Sequence, residues 1–221
     1  MTSGSPYADA LGERVEELHP VLRRYFSAIP LGHVGVGEGV FDVVGTPRRW
    51  LRPFLRVLQR QGVVWAGWEK DVPFRIVNRA VDGEARARRE LHLPSGSWTM
   101  TDAVSVAAGG GVVDRLGVPQ TVAAAFDVTT RRGALVLTSR AVGLRWGRLR
   151  MRVPRVVAPT VRLTERYDDG AARQHVEVTI DAPLLGRVYE YAGGFSYRLV
   201  PDPEAVVSRK RDAVRDRVAT R

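Results

Sequence analysis

The chain has 221 residues, 44% of them hydrophobic and 26% charged, and it contains no cysteine. A chain this long hides roughly 70% of its unfolded surface and builds a sizeable core without disulfides, while the missing cysteine excludes thiol nucleophiles, iron–sulfur clusters and Cys-based zinc sites. The balance of 34 basic against 24 acidic residues gives a net charge of +10, carried almost wholly by arginine because Lys70 and Lys210 are the only lysines; scattered charge of this kind bears on solubility more than on a specific partner, so no specific nucleic acid is expected.

The N-terminus lacks a basic stretch followed by an apolar run, and no segment reaches the ~18 apolar residues that span a bilayer, so a soluble, cytoplasmic protein without a membrane partner is expected. Residues 5–26 read as helical. Ser5 is placed to cap, Pro6 to start the first turn, and Leu11, Val15, Leu18, Leu22 and Phe26 share one stripe, which Pro20 breaks into a kink or two short helices. Val34 to Val44 alternates like a strand, with Gly35, Gly37 and Gly39 on one side. A second helix fits 46–61, with Thr46 as cap, Pro47 at its start, Gly62 as stop and Trp50, Leu51, Phe54, Leu55 and Leu58 as its apolar face.

After Trp65 the period becomes two. Val72–Ile76, Trp98–Val106, Val122–Val128, Leu135–Leu137, Val161–Tyr167, Val176–Ile180 and Tyr189–Tyr197 each place alternate residues on one face. Asp82-Gly83, Ser95-Gly96, Gly109-Gly110-Gly111, Arg132-Gly133 and Asp169-Gly170 punctuate them as turns. No connection holds a crossover helix, so the sheet is antiparallel. Eight or more such strands leave raw edges unless they curl or close. The expectation is a mainly β (α+β) fold: a strongly curved or barrel-like, calycin-like sheet with two N-terminal helical segments. One domain covers 1–200, and 201–221 reads as a charged helix or tail capped by Asp202 with Pro203 at its start.

No nucleophile elbow, phosphate loop or zinc-protease motif is present. Residues 33–40 carry Gly-x-Gly-x-Gly, but no helix and no parallel βαβ unit follow, so the glycines read as a bend or a close backbone approach rather than a dinucleotide site. His19, His33, His92 and His175 share no metal-ligand spacing and read as surface or capping residues. No metal and no cofactor are expected.

Charged residues at positions that the alternation assigns to an apolar face carry the most information. Glu38 falls between Val36 and Val40, Asp102 between Met100 and Val104, and Asp114 between Val112 and Leu116. Arg140 follows Val136 and Thr138, and Glu165 precedes Tyr167. Buried charges must pair, reach the rim or line a wet cavity. One reading is an internal ion pair, with Arg140 or another arginine neutralising the acids, or a slip in the assumed register. The other is a small-molecule pocket lined by Glu38, Asp102, Asp114, Arg140, Glu165 and Tyr167 with an aromatic wall of Trp98, Trp146, Tyr189, Tyr191 and Tyr197. Three functions fit: binding of a small, largely apolar molecule; a cofactor-independent isomerase or cyclase using Asp102, Glu165 or Glu38 as general acid or base; and non-specific binding of an anionic polymer.

Six phrases in order resemble the bacterial domain-of-unknown-function 4166 family: Leu-His-Pro-Val-Leu-Arg-Arg-Tyr-Phe (18–26), Gly-Glu-Gly-Val-Phe-Asp-Val (37–43), Asp-Val-Pro-Phe-Arg-Ile-Val-Asn-Arg (71–79), Val-Asp-Arg-Leu-Gly (113–117), Gly-Ala-Leu-Val-Leu-Thr-Ser (133–139) and Pro-Leu-Leu-Gly-Arg-Val-Tyr-Glu-Tyr-Ala-Gly-Gly-Phe (183–195). The resemblance spans about 6–199. It implies a domain that occurs alone or behind a dinucleotide-binding reductase domain, and hence a reductase partner acting in trans for this chain. It implies no catalytic residues.

Overall fold

A computed structural model describes residues 4–147 and 149–203, without the side chain of Trp146. Proline positions divide the N-terminal helical stretch. Pro6 opens α1 (Pro6–Leu11), a 3₁₀ segment covers Gly12–Glu17, and Pro20 opens α2 (Pro20–Tyr25). His19 is the cap of α2, its Nδ1 accepting from the Val21 amide at 3.3 Å. The Ser5 side chain makes no capping bond; its carbonyl accepts from Asp9 N instead. The second helix starts later than expected. Thr46 Oγ1 accepts from Arg48 N, a 3₁₀ turn follows at Arg49–Leu51, and α3 runs over Arg52–Arg60.

Eleven strands follow the alternating segments: β1 (His33–Gly45), β2 (Trp68–Val81), β3 (Glu84–Leu93), β4 (Gly96–Val106), β5 (Val112–Leu116), β6 (Val122–Arg131), β7 (Ala134–Trp146), β8 (Leu149–Arg152), β9 (Thr160–Asp168), β10 (Arg173–Ala182) and β11 (Gly186–Pro201). All pair antiparallel in the order β6-β5-β4-β3-β2-β1-β11-β10-β9-β7, and β6 pairs with β7 to close a ten-stranded barrel. Strand β8 is a side branch on the far half of β7, whose near half pairs with β9. Closure removes the open edges that a sheet of this length would otherwise present. Of the expected C-terminal helix, only its first residues are described: Pro201 still belongs to β11, and 204–221 lie outside the described residues.

Two apolar clusters fill the barrel. One joins Phe41, Val44, Phe74, Ile76, Leu91, Met100, Tyr189, Tyr191 and Phe195 to Leu55 and Leu58 of α3. The other joins Leu11, Leu18, Leu22 and Phe26 to the inward residues Val104, Val112, Phe126, Val128, Leu135 and Leu137. The N-terminal helices thus plug the barrel interior from one side and α3 packs at the other. No helix of the described residues is long and apolar enough to cross a membrane.

The inward face of the first part of β1 is glycine, at Gly35, Gly37 and Gly39, before Phe41 and Val44 join the core. A Cβ on Gly35 would lie 1.6 Å from Tyr197 Oη, and one on Gly39 would lie 2.1 Å from the Gly194 carbonyl and 2.5 Å from Phe195 Cβ. The glycines therefore let the aromatic side chains of β11 lie flat across the β1 backbone, the close approach that alternating glycines suggested.

Candidate functional site

Between the two clusters runs a layer of ionisable groups, because three strands each carry one acid where the clusters meet. On β4, Asp102 separates Met100 from Val104; on β5, Asp114 separates Leu116 from Val112; on β9, Glu165 lies between Leu163 and Tyr167. Strand β3 contributes Arg89 from its inward set Ala85, Ala87, Arg89, Leu91. A cavity of about 80 Å³ opens on this layer. Its deep wall holds Arg89, Asp102, Glu165, Tyr191, Phe41 and Phe74. Its outer wall holds Tyr7, Tyr25, Asn78 and Tyr197, with exposed Ser27, Ala28, Ala80 and Arg86 at the mouth.

The polar groups are tied together. Arg89 Nη1 donates to Asp102 Oδ1 in an ion pair whose side chains are 18% and 4% exposed. The Tyr25 hydroxyl hydrogen-bonds the Glu165 carboxyl. Asn78 Nδ2 donates to Tyr25 Oη at 3.5 Å and also hydrogen-bonds the Tyr197 hydroxyl. Tyr25 stands edge-on to Tyr197, with ring centroids 4.5 Å apart. Asp114 Oδ1 is buried and has no hydrogen-bond partner among the described residues.

One guanidinium faces three carboxyls in a site shielded from water, and burial pushes each acid towards its protonated form. Burial pushes Glu165 up to about 8, against the opposing pull of Arg89 and of the Tyr25 hydrogen bond. Burial raises Asp114 well above the carboxylate range, and the charge of Asp102 adds to it. Burial raises Asp102 as well, with Arg89 opposing. Burial would lower Arg89, but Asp102 and the surrounding tyrosines hold it firmly protonated. Burial likewise keeps Tyr191 and Tyr197 neutral, both pushed up to about 12. The site can therefore present a fixed cation, one ion-paired carboxylate, and a neutral carboxylic acid able to donate a proton or a hydrogen bond. Among the described residues no group of three His, Asp or Glu is placed to hold a metal ion.

Asp102, Glu165, Tyr191 and Tyr197 line this cavity, and Asp114 is buried beside Asp102. The other sequence candidates lie elsewhere. Glu38 is on the outer face, half-exposed between Arg75 and Arg198; the inward positions beside it are Gly37 and Gly39, and on its own side Val34 and Val36 are buried while Val40 is exposed. Arg140 is the extra residue of a bulge in β7, pairing outward with Asp127 at 3.3 Å and donating to the Gly110 carbonyl. The inward set there is Leu135, Leu137 and Ser139, not Val136, Thr138 and Arg140. Trp98 and Tyr189 belong to the α3 end, Trp98 Nε1 donating to the Gln59 carbonyl at 3.0 Å and Tyr189 Oη accepting from Trp65 N at 3.3 Å. Tyr167 faces inward but stacks on His19 of the plug, with centroids 4.7 Å apart. The side chain of Trp146 lies outside the described residues.

Sequence reasoning missed Arg89, Tyr7, Tyr25 and Asn78. Arg89 carried the same signal as the acids, a charge in an otherwise apolar alternate set, but Arg86 and Arg88 beside it hid the period.

Fold and site together define a closed, up-and-down antiparallel barrel with a helical plug and an ionisable interior cavity. The chain belongs to the family described as domain of unknown function (DUF4166), whose profile matches residues 18–195. That span runs from Leu18, just before α2, to Phe195 and includes Tyr25, Asn78, Arg89, Asp102, Asp114, Glu165 and Tyr191. No curated protein and no solved structure matches the chain.

Proposed function

We propose that the barrel binds a small, largely apolar molecule in the cavity above Arg89, Asp102 and Glu165. The observation that carries this reading is that the two apolar clusters leave an opening at the layer where the ionisable groups converge, rather than packing it shut. Aromatic rings supply the wall, and a few convergent polar groups fix orientation, as in small-molecule sites generally. At about 80 Å³ the cavity takes a molecule the size of one aromatic ring; anything larger has to displace the plug residues around Tyr7 and Tyr25. Phenol is a suitable probe, its ring against Tyr25 and Phe195 and its hydroxyl at Glu165. Saturable 1:1 binding by calorimetry, lost in Ala87→Phe, which fills the cavity from β3, supports the reading. Absence of saturable binding, together with no small molecule carried through purification in native mass spectrometry, refutes it.

The second reading, a cofactor-independent isomerase or cyclase, is favoured by one observation: Glu165 keeps its proton to about pH 8 beside a fixed guanidinium. A neutral acid in that position serves as general acid, while Arg89 stabilises negative charge developing on the substrate. Glu165→Gln removes the proton and preserves the shape, so turnover should fall about 10²-fold or more while ligand binding survives.

A further inference from the structure

The outer face of β2 to β5 carries a second concave site, which meets the interior cavity at Arg79, Arg86, Ala87 and Asp102. A groove of about 610 Å³ crosses these strands and is bounded by the loop Gly117–Gln120. On the solvent face, Arg79 of β2 stands directly opposite Arg86 of β3, and Arg86 is followed across Ala103 of β4 by Arg115 of β5. Like charges paired across strands are unfavourable, so anything negative that lies on this row stabilises it. Arg88 and Arg145 complete the groove.

The acids nearby offset these cations only in part: Asp202 pairs with Arg79 at 3.4 Å, which leaves Arg86, Arg88, Arg115 and Arg145 over the groove. Glu84 is shared between Arg86 Nε at 3.1 Å and Arg115 Nη1 at 3.7 Å. Arg88 reaches Glu90 only at 4.0 Å. Arg145 Nε donates to the Gly147 carbonyl, and among the described residues no carboxylate lies within 4.0 Å of it. Small outward residues, Thr101 and Ala103, form the floor, so the guanidinium groups stand above a trough. The loop wall adds apolar surface: Val118 is 72% exposed there beside Pro119.

We propose that this groove binds a small organic phosphate, its phosphate gripped by Arg86, Arg88, Arg115 and Arg145 and its apolar part lying on Val118 and Pro119. Guanidinium forks match phosphate oxygens two at a time, which favours this ligand over a simple monovalent anion. The groove volume lies within the range of small-molecule sites. Its end wall at Gly117–Gln120 suits a compact ligand better than an extended polymer.

The test titrates the full chain with phenyl phosphate and with inorganic phosphate at constant ionic strength, reading binding by calorimetry. Phenyl phosphate should bind saturably at 1:1 and at least threefold more tightly than inorganic phosphate. Arg115→Gln/Arg145→Gln should weaken it at least tenfold, whereas Arg75→Gln/Arg198→Gln, on the outer face around Glu38, should leave it unchanged. Arg88→Gln alters a single exposed side chain and should cost at least threefold even if the double variant unfolds. Binding that vanishes at constant ionic strength, equal loss in the Arg75/Arg198 pair, or no loss in Arg88→Gln overturns the proposal. Equal affinity for the two phosphates overturns the role assigned to Val118 and Pro119.

Discussion

Arg89 is the residue on which the interior depends. It is the only cation pointing into the acid layer among the described residues, and removing it strands Asp102 without a partner. Breaking a buried pair from one side costs about 3–5 kcal/mol, whereas replacing both partners with apolar groups is often neutral. Arg89→Met should therefore lower the urea midpoint sharply, and Arg89→Met/Asp102→Leu should recover most of the loss; a double variant no more stable than the single one contradicts the pairing. Glu165 sets the pH dependence. Its folded value, about 8, lies above the ordinary 4.5, so the folded state holds a proton that the unfolded state releases. Stability from this group is complete below about pH 4.5, falls as pH rises from there to about 8, and then levels off. Asp102 and Asp114, also raised, act in the same direction. Glu165→Gln should flatten that slope and raise stability at pH 8 by roughly 3–5 kcal/mol; an unchanged slope in chemical denaturation between pH 5 and pH 8 refutes it. The three acids were legible in the sequence because strands β4, β5 and β9 alternate cleanly around them. Glu38 and Arg140 were misread because glycine gives no side chain to reveal an inward face, and because Val136, outward yet buried, made the outer face of β7 read as the inner one.

At the scale of elements, the glycine face of β1 and the plug carry the packing. On Gly39 a Cβ meets backbone, which cannot swing away, while on Gly35 it meets the end of the Tyr197 side chain. Gly39→Ala should cost about 3 kcal/mol or more and Gly35→Ala less, with Tyr197→Leu relieving only the Gly35 variant; thermal unfolding of the four proteins decides. Leu22 of α2 is fully buried, so Leu22→Ala should cost about 2–5 kcal/mol, and a loss under 1 kcal/mol would mean that the plug is not packed as described. Turn signals and alternation placed β1, β4 and β9 within two residues at each end, and showed only part of β2, β6, β7, β10 and β11. Strand β3 escaped because Glu-Ala-Arg-Ala-Arg-Arg-Glu offers too few apolar residues to show a period, and its missing call took Arg89 with it. The N-terminal helix starts at Pro6 and breaks at Pro20 as expected, whereas the second helix starts late, at Arg52 with Pro53 in its first turn rather than behind Thr46.

For the whole molecule, closure is the decisive property. An open ten-stranded sheet would leave its terminal strands exchanging amide protons quickly, whereas the β6–β7 pairing makes every barrel strand internal. Amides of Phe126–Val128 and Leu135–Leu137 should exchange as slowly as those of β1 and β2, and those of the side branch β8 much faster. The sequence predicted curvature from the number of strands, since their edges had to be hidden, but not the ring's membership, because pairing of β6 with β7 and the detour through β8 depend on contacts between strands rather than on the period within one. Nor did it show the two helical ends that isolate the acid layer from water. That isolation is what makes the interior a chemical site rather than a row of solvated carboxylates, and the carboxyl carbon of Glu165 reports on it directly. In protein labelled with ¹³C at glutamate side chains, the resonance missing from Glu165→Gln should titrate with a midpoint near pH 8. A midpoint near the ordinary 4.5 would contradict the sequestered interior and the cavity chemistry built on it.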